Sequence, residues 1–153
     1  MFGLDLHTSV IHFPIALTVV GALAELGYLV IRRPWLRWFA PVLLTLALLG
    51  AGGAYFSGKA VEDKAVRQGV PRAAVDLHEE AALWAIGAIA LATLLSWATR
   101  PRGKALWLPA LAALIAAAIV LRTGHLGGKL VFVHGAGRVK ATVGAGTTSP
   151  PSE

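Results

Sequence analysis

Long apolar runs alternate along the chain with short polar segments, and four of these runs are long enough to cross a membrane. A membrane-spanning helix needs about 20 largely apolar residues. The pattern predicts helices over residues 9–31, 37–58, 76–99 and 104–124. Two short connections and one longer one join them, which favours an all-α, up-down-up-down four-helix bundle whose N- and C-termini lie on the same side.

Polar signals next to the runs predict the limits of the domain. The third helix is expected to begin at Asp76, because Asp76 and Glu79 have the spacing of a capping box and Pro71 lies upstream. Residues 1–140 are expected to form one transmembrane domain, with a short interfacial segment after the fourth helix. Residues 141–153 are rich in Gly, Thr, Ser and Pro and are expected to be disordered.

The composition supports a membrane protein and excludes several kinds of site. The chain is 56% hydrophobic and 14% charged, with a mean hydropathy of +0.68, whereas a soluble domain needs more polar surface to cover its core. The absence of cysteine excludes disulfides, thiolate metal sites and iron–sulfur ligation. Because the basic residues lie between the apolar runs, the net charge of +6 indicates membrane orientation and contact with lipid head groups rather than nucleic-acid binding.

The charges of the connections predict the orientation in the membrane. The opposite side of the bundle has eight basic residues among several acids, whereas the two short connections hold six basic residues and no acid: Arg32, Arg33, Arg37, Arg100, Arg102 and Lys104. Positive residues mark the cytoplasmic side best in short loops. We therefore expect a multi-pass protein of the bacterial inner membrane with both termini outside, at the periplasmic face in a Gram-negative cell.

All five histidines are expected at the outer end of the bundle. His7 and His12 lie near the start of the first helix, His78 opens the third, and His125 and His134 follow the fourth. Imidazole ligates haem iron and also copper, iron and zinc ions. The predicted axial ligands are His12, His78, His125 and His134, with His7 as a further haem-binding residue. Ordinary hydrogen bonds by interfacial histidines are the alternative interpretation.

Helix geometry limits the pairing of these ligands. His7 and His12 are five residues apart, so on a helix they point about 140° apart and lie about 7.5 Å apart along the axis. They cannot be opposite ligands of one iron, and each needs a partner among the other histidines. The chain can therefore hold one or two haems b. Pro14 kinks or begins the helix beside His12 and so orients this histidine, which makes His12 the strongest single candidate.

Glycines and one arginine complete the predicted haem site. Gly52 and Gly53 lie near the level of His12 and are expected to let a flat ligand approach, with close helix packing as the alternative. Arg122 is the expected partner of a haem propionate, although an arginine at this level also reaches lipid head groups. Residues 122–137 are expected to turn away from the fourth helix and cover the mouth of the bundle.

Glu25 is the only charged residue within the first apolar run. An acid inside a membrane helix indicates a proton route or a quinone-binding group by default. Thirteen residues separate it from His12, about 20 Å along a helix, which argues against joint chemistry with that histidine. We expect Glu25 to pair with Arg32 or Arg33, or to be protonated.

Two segments resemble a known family. Residues Leu6–Leu17 read Leu-His-Thr-Ser-Val-Ile-His-Phe-Pro-Ile-Ala-Leu, and residues Thr123–Gly135 read Thr-Gly-His-Leu-Gly-Gly-Lys-Leu-Val-Phe-Val-His-Gly. They resemble the signatures of a bacterial family of predicted four-helix membrane proteins, domain of unknown function 2231, and the resemblance covers about residues 5–138. It implies four membrane helices and a histidine-bearing face. Relatives occur beside or fused to Rieske or cytochrome c modules, but the resemblance implies no established activity.

Together these observations predict a membrane-bound, b-type cytochrome-like electron-transfer protein or subunit with one or two haems at the outer face. No Ser-His-Asp or paired-carboxylate arrangement stands out, so a non-catalytic subunit is expected rather than an enzyme. The expected partners are the lipid bilayer, quinol, and a periplasmic cytochrome c or Rieske-type protein within a larger membrane complex. The alternatives are a non-haem structural subunit, or a His-rich membrane protein that binds copper, iron or zinc.

Overall fold

The computed structural model describes the backbone of residues 2–102 and 107–136, and side chains within residues 10–101 and 107–136. Four helices make up almost all of it: α1 (Phe2–Ile31), α2 (Leu36–Arg67), α3 (Arg72–Thr99) and α4 (Trp107–Phe132). A 3₁₀ turn, Arg100–Arg102, follows α3, and no strand occurs in the described ranges. Each of the four helices is long and apolar enough to cross a membrane. The all-α prediction is confirmed.

The helices form a closed ring in which each packs against its two neighbours. α1 contacts α2 and α4, and α3 contacts the same two helices from the opposite corner. This arrangement is the predicted up-down-up-down bundle. α1 begins and α4 ends at one end of the bundle, here called the histidine end. At the other end lie residues 32–37, which span the first connection and the start of α2, and Arg100–Arg102 after α3, and this end is called the arginine end.

Small side chains build the centre of the bundle and bring the helices close together. The buried core is mostly alanine, and its large members are few, with Leu44 and Ile89 fully buried. A Cβ added to Gly21 would lie 2.9 Å from Leu44 Cδ2, so α1 approaches α2 closely at a position without a side chain. Large apolar side chains such as Trp84 (67% exposed) and Leu94 (68%) face outward. Packing through small residues with apolar groups outside is typical of helices in lipid.

The helices are longer at the histidine end than the apolar runs suggest. α2 continues to Arg67 rather than ending at residue 58, and α4 continues to Phe132 rather than ending at residue 124. α1 begins at Phe2 rather than at residue 9. With a rise of about 1.5 Å per residue, α2 is about 48 Å long, whereas the hydrocarbon core is about 30 Å thick. α2 is therefore longer than one span requires, and its charged extra turns, residues 59–67, lie at the histidine end.

The predicted capping box at the start of α3 is wrong. The N-cap is Pro71, with an extended backbone (φ −58°, ψ 128°) and no side-chain cap. Asp76 lies inside the helix, where it accepts a hydrogen bond from Arg72 Nε at 3.0 Å. The proline already interrupts the helix upstream, so α3 begins directly after it and Asp76 is not at the end.

The predicted fold-back of residues 122–137 is also wrong for the part that the structure describes. α4 runs through its glycines without interruption and ends after Phe132. The chain then turns at Gly135 (φ 71°), and the amide of Ala136 donates to the carbonyl of Leu130 at 2.8 Å. This is a glycine-terminated helix end. The predicted start of the fourth helix at residue 104 and the predicted disordered tail, residues 141–153, lie outside the described residues.

Candidate ligand site at the histidine end

An apolar cavity lies between all four helices at the histidine end. Its deeper walls are aliphatic and come from every helix: Ile11, Ile15, Ala51, Ala85, Ile89 and Val120. The cavity volume is about 180 Å³, and with its open mouth the space free of protein atoms is about 1210 Å³. An engineered apolar cavity of about 150 Å³ holds a benzene molecule. The deep part therefore accommodates a ring-sized apolar group, and the mouth leaves room for a larger ligand to extend outward.

Glycines of α4 let side chains of the other helices reach its backbone. A Cβ added to Gly124 would lie 3.1 Å from Ile15 Cδ1 of α1. A Cβ added to Gly127 would lie 3.1 Å from His78 Cε1, 3.6 Å from Nδ1 and 3.7 Å from Nε2. The edge of the imidazole that carries both nitrogens therefore faces α4 at Gly127. Only glycine leaves this space free.

A group of charged and hydroxyl side chains lies at the mouth of the cavity, where α2 ends and α3 begins. This mouth cluster consists of Tyr55, Lys59, Glu62, Arg72 and Glu79. Tyr55 donates a hydrogen bond to Glu79 at 3.0 Å. Lys59 contacts Glu62 at 2.6 Å and Glu79 at 3.1 Å. Arg72 pairs with Glu62 at 2.7 Å. Glu62 is only 8% exposed, and the two cations on either side compensate its charge.

The acids of the mouth do not make a persuasive metal site. Oxygens of Glu62, Asp76 and Glu79 lie within 4.8 Å of one another, and within the described ranges they are the one such group of three. Lys59 and Arg72 already form ion pairs with these carboxylates. A divalent cation would have to displace or repel both of them.

The structure brings one predicted histidine ligand to the cavity. His78 lines it and is half-buried. His12 and His125 are exposed, and His134 is half-buried after the end of α4, and none of these three lines the cavity. His7 belongs to α1, but its side chain lies outside the described part of the structure.

The rotation of α1 explains why His12 is not in the cavity. Ile11 and Ile15 are about one turn apart on the same face of the helix, and both line the cavity. A residue one position after Ile11 points about 100° away from it. His12 therefore lies on the flank of α1, although its depth matches that of the cavity.

The other predicted site residues lie outside the cavity as well. No atom of another group lies within 4 Å of a Cβ added to Gly52 or Gly53, so these positions face open space rather than a neighbouring helix. Arg122 is exposed and does not line the cavity. The glycines that do line it are Gly58, Gly124 and Gly127.

The sequence interpretation does not include the mouth cluster, although a signal for it exists. Lys59 and Glu62 are three residues apart, and Arg72 and Asp76 are four apart, which are the spacings of ion pairs along a helix. The apolar runs predict a connection at Lys59, Glu62 and Arg72, because the runs end before these residues. Extending α2 and α3 by their charge spacing would have placed them on helices facing each other.

At the arginine end, Glu25 is buried and pairs with Arg100, which contradicts the predicted pairing with Arg32 or Arg33. The two side chains are each 1% exposed and form an ion pair. Ser96 donates a hydrogen bond to the same carboxylate. The Arg100 guanidinium lies 4.5 Å from the centre of the Tyr28 ring. Arg32 and Arg33 remain exposed at the bundle surface.

The fold and the cavity define a polytopic helical membrane protein with a ligand-sized space at one end. The chain belongs to the family described as predicted membrane protein, domain of unknown function 2231, whose sequence profile matches residues 3–140. The predicted family is confirmed. No curated protein and no solved structure matches the chain.

Proposed function

We propose that this protein is a membrane-bound electron-transfer protein of the cytochrome b type, with a haem b in the cavity at the histidine end. The observation that supports the proposal is the place of His78. His78 lines an apolar cavity between all four helices, so a side chain of a type that ligates iron lies beside aliphatic walls.

The residues around the cavity fit a flat apolar ligand with a polar edge. Ile15, Ile89 and Val120 offer apolar contacts in the deep part, and Gly58 lines the cavity without a side chain. Lys59 and Arg72 are the cations of the mouth cluster, and propionates would compete with the carboxylates that these cations now hold. Bound haem supplies an iron that accepts and releases one electron. The aliphatic walls would exclude water from its apolar face, and the His78 ring, whose nitrogen-bearing edge lies against α4 at Gly127, would have to turn into the cavity to ligate the iron.

The proposed setting is the bacterial inner membrane with the histidine end outside. The arginine-end connections support it, because Arg32, Arg33 and Arg37 occur there without an acid. Arg100 does not count among these orienting charges, because it is buried in an ion pair with Glu25. In this orientation quinol in the bilayer and a periplasmic cytochrome c or Rieske-type protein are the partners that reach the site, within a larger complex.

An optical spectrum of the purified full-length protein tests the proposal. We expect a Soret band that sharpens on reduction with dithionite, resolved alpha and beta bands, and about one haem per chain in a pyridine haemochrome assay. His78→Ala should lower the haem content several-fold, because the cavity then loses its iron ligand. The exposed His125 provides the matched control, and His125→Ala should keep the haem.

Other results would replace the proposal. A colourless protein containing stoichiometric copper, iron or zinc would support a His-rich metal-binding protein instead. A colourless protein without metal would support a structural subunit. Full haem content in His78→Ala would show that the cavity is not the haem site.

A further inference from the structure

We propose that Arg32 and Arg33 at the arginine end form a binding site for the head group of an anionic phospholipid such as phosphatidylglycerol. The two residues follow α1 directly and precede α2, which begins at Leu36. The site is independent of the haem proposal, because the cavity lies at the other end of the bundle.

Arg32 has a backbone conformation that normally belongs to glycine. α1 ends at Ile31, and the amide of Arg32, whose φ is 57°, donates to the carbonyl of Tyr28 at 3.1 Å. This is the left-handed end of a helix, where glycine avoids the steric cost that another side chain brings. The other two positive-φ positions in the described residues are glycines, Gly69 and Gly135. An arginine in a strained conformation indicates that its side chain has a function.

The charges of Arg32 and Arg33 have no compensating acid nearby. Both residues are exposed, and no acid occurs from residue 26 to residue 61. Glu25, which comes before them in the sequence, is buried in its ion pair. The ion pairs among the described residues use other cations, namely Lys59, Arg72 and Arg100. Because two adjacent guanidinium groups repel each other, a bound anion would stabilise both.

Arg37, the third arginine of residues 32–37, has a structural contact instead. Its guanidinium donates two hydrogen bonds to the carbonyl of Arg100, one of them from Nε at 2.9 Å, and lies 5.1 Å from the centre of the Trp38 ring. It therefore links the end of α3 to the start of α2. Of the three arginines, Arg32 and Arg33 are the two that an external anion can reach.

Aromatic side chains close to the two arginines favour a lipid over a soluble anion. Trp35 is 63% exposed, and its ring centre lies 6.0 Å from that of Phe39. Tryptophan prefers the level of the lipid head groups. Four of the five tryptophans lie at the arginine end: Trp35, Trp38, Trp97 and Trp107. Arg32 and Arg33 are therefore at the level of the lipid phosphates, beside aromatic surface that a free phosphate ion would not use.

The two positive charges select a head group with a net negative charge. A guanidinium binds phosphate oxygens through two parallel hydrogen bonds. Phosphatidylglycerol has one net negative charge, whereas phosphatidylcholine would bring a cation close to the second arginine. Each arginine near an anionic lipid surface strengthens binding about fivefold, so the pair contributes about 30-fold.

Native mass spectrometry of the purified full-length protein in detergent micelles, titrated with phosphatidylglycerol or phosphatidylcholine, tests the proposal. The double variant with Arg32→Gly and Arg33→Gln should bind phosphatidylglycerol about 30-fold more weakly, with phosphatidylcholine binding unchanged. The matched control combines Lys64→Gln and Arg67→Gln, which removes two exposed cations at the histidine end. This control should bind phosphatidylglycerol as the parent protein does.

Thermal unfolding in the same micelles separates a lipid site from a structural role of Arg32. Without added lipid, Arg32→Gly should keep or raise the unfolding midpoint, because glycine relieves the left-handed backbone. A lower midpoint would overturn the proposal, since the arginine side chain would then stabilise the fold itself.

Three binding results would also overturn the proposal. The first is equal affinity of the parent protein for the two lipids. The second is an unchanged affinity for phosphatidylglycerol in the Arg32 and Arg33 double variant, or an equal loss in the control. The third is displacement of phosphatidylglycerol by inorganic phosphate, which would indicate a site for simple anions. The haem content of the protein affects none of these results.

Discussion

The buried ion pair between Glu25 and Arg100 is the structure's strongest prediction about stability. Both side chains are 1% exposed, so neither charge is solvated by water. Removing one partner of such a pair typically destabilises a protein by about 3–5 kcal/mol, because the remaining charge is buried without compensation. We therefore expect Arg100→Gln to lower the free energy of unfolding by about 3–5 kcal/mol.

The contacts around the pair predict that the loss of either partner costs a similar amount of stability. In Arg100→Gln the carboxylate keeps the hydrogen bond from Ser96, whereas in Glu25→Gln the guanidinium keeps its contact with the Tyr28 ring. A desolvated cation–π contact contributes about 2 kcal/mol, and a hydrogen bond to a charged group about 1.5–3 kcal/mol. The two single variants should therefore lose similar amounts. The double variant should lose less than the sum, because it leaves no unpaired charge.

Unfolding of the purified protein in mixed micelles by SDS, followed by circular dichroism, measures these differences. Arg33→Gln is the matched control, because Arg33 is exposed and was the partner expected from the sequence. Its effect should stay within about 0.5 kcal/mol. Additive losses in the double variant, or an equal loss in Arg33→Gln, would refute the assignment of the buried pair.

Two further pairs of variants test the packing of glycines. Gly127→Ala should lower the haem content, since the added Cβ would lie 3.1 Å from His78. The matched control Gly128→Ala should keep the haem, because no atom lies within 4 Å of its added Cβ. Equal pyridine haemochrome values for the two variants would contradict the packing of His78 on α4. Gly21→Ala should destabilise the protein by about 1–3 kcal/mol through overpacking against a leucine of α2. Gly53→Ala, in open space, should be neutral or stabilising by up to about 1 kcal/mol in the same SDS titration.

The predicted site was only partly within reach of the sequence. His78 could be named because it opens an apolar run, and the structure places it in the cavity. The neighbouring Pro14 favours His12 as a ligand, but the structure places His12 on the exposed flank of α1, outside the cavity. Pro14 lies inside the continuous helix α1. The Thr18 hydroxyl donates a hydrogen bond to the carbonyl oxygen of Pro14 at 2.7 Å. A proline therefore marks an irregular position without revealing which way a neighbouring side chain points.

The sequence by itself determined the membrane spans, the number of helices and the end at which each histidine lies. The spans can be predicted from the sequence because each membrane helix needs about 20 apolar residues in a row, and this requirement applies to each segment separately. Alternating connections then assign every residue to one end. The same reasoning placed Glu25 near the basic end, where its true partner also lies.

Only the tertiary structure decided the rotation of each helix and the partners of its polar residues. The helices are apolar on most sides, so no amphipathic stripe shows which face meets a neighbour. Small contacts between helices set the rotation instead, such as Gly21 with Leu44 and Gly127 with His78. Those contacts join residues far apart in the chain. As a result His78 lines the cavity and Arg100 pairs with Glu25. The spacing of these residues along the sequence does not predict either outcome.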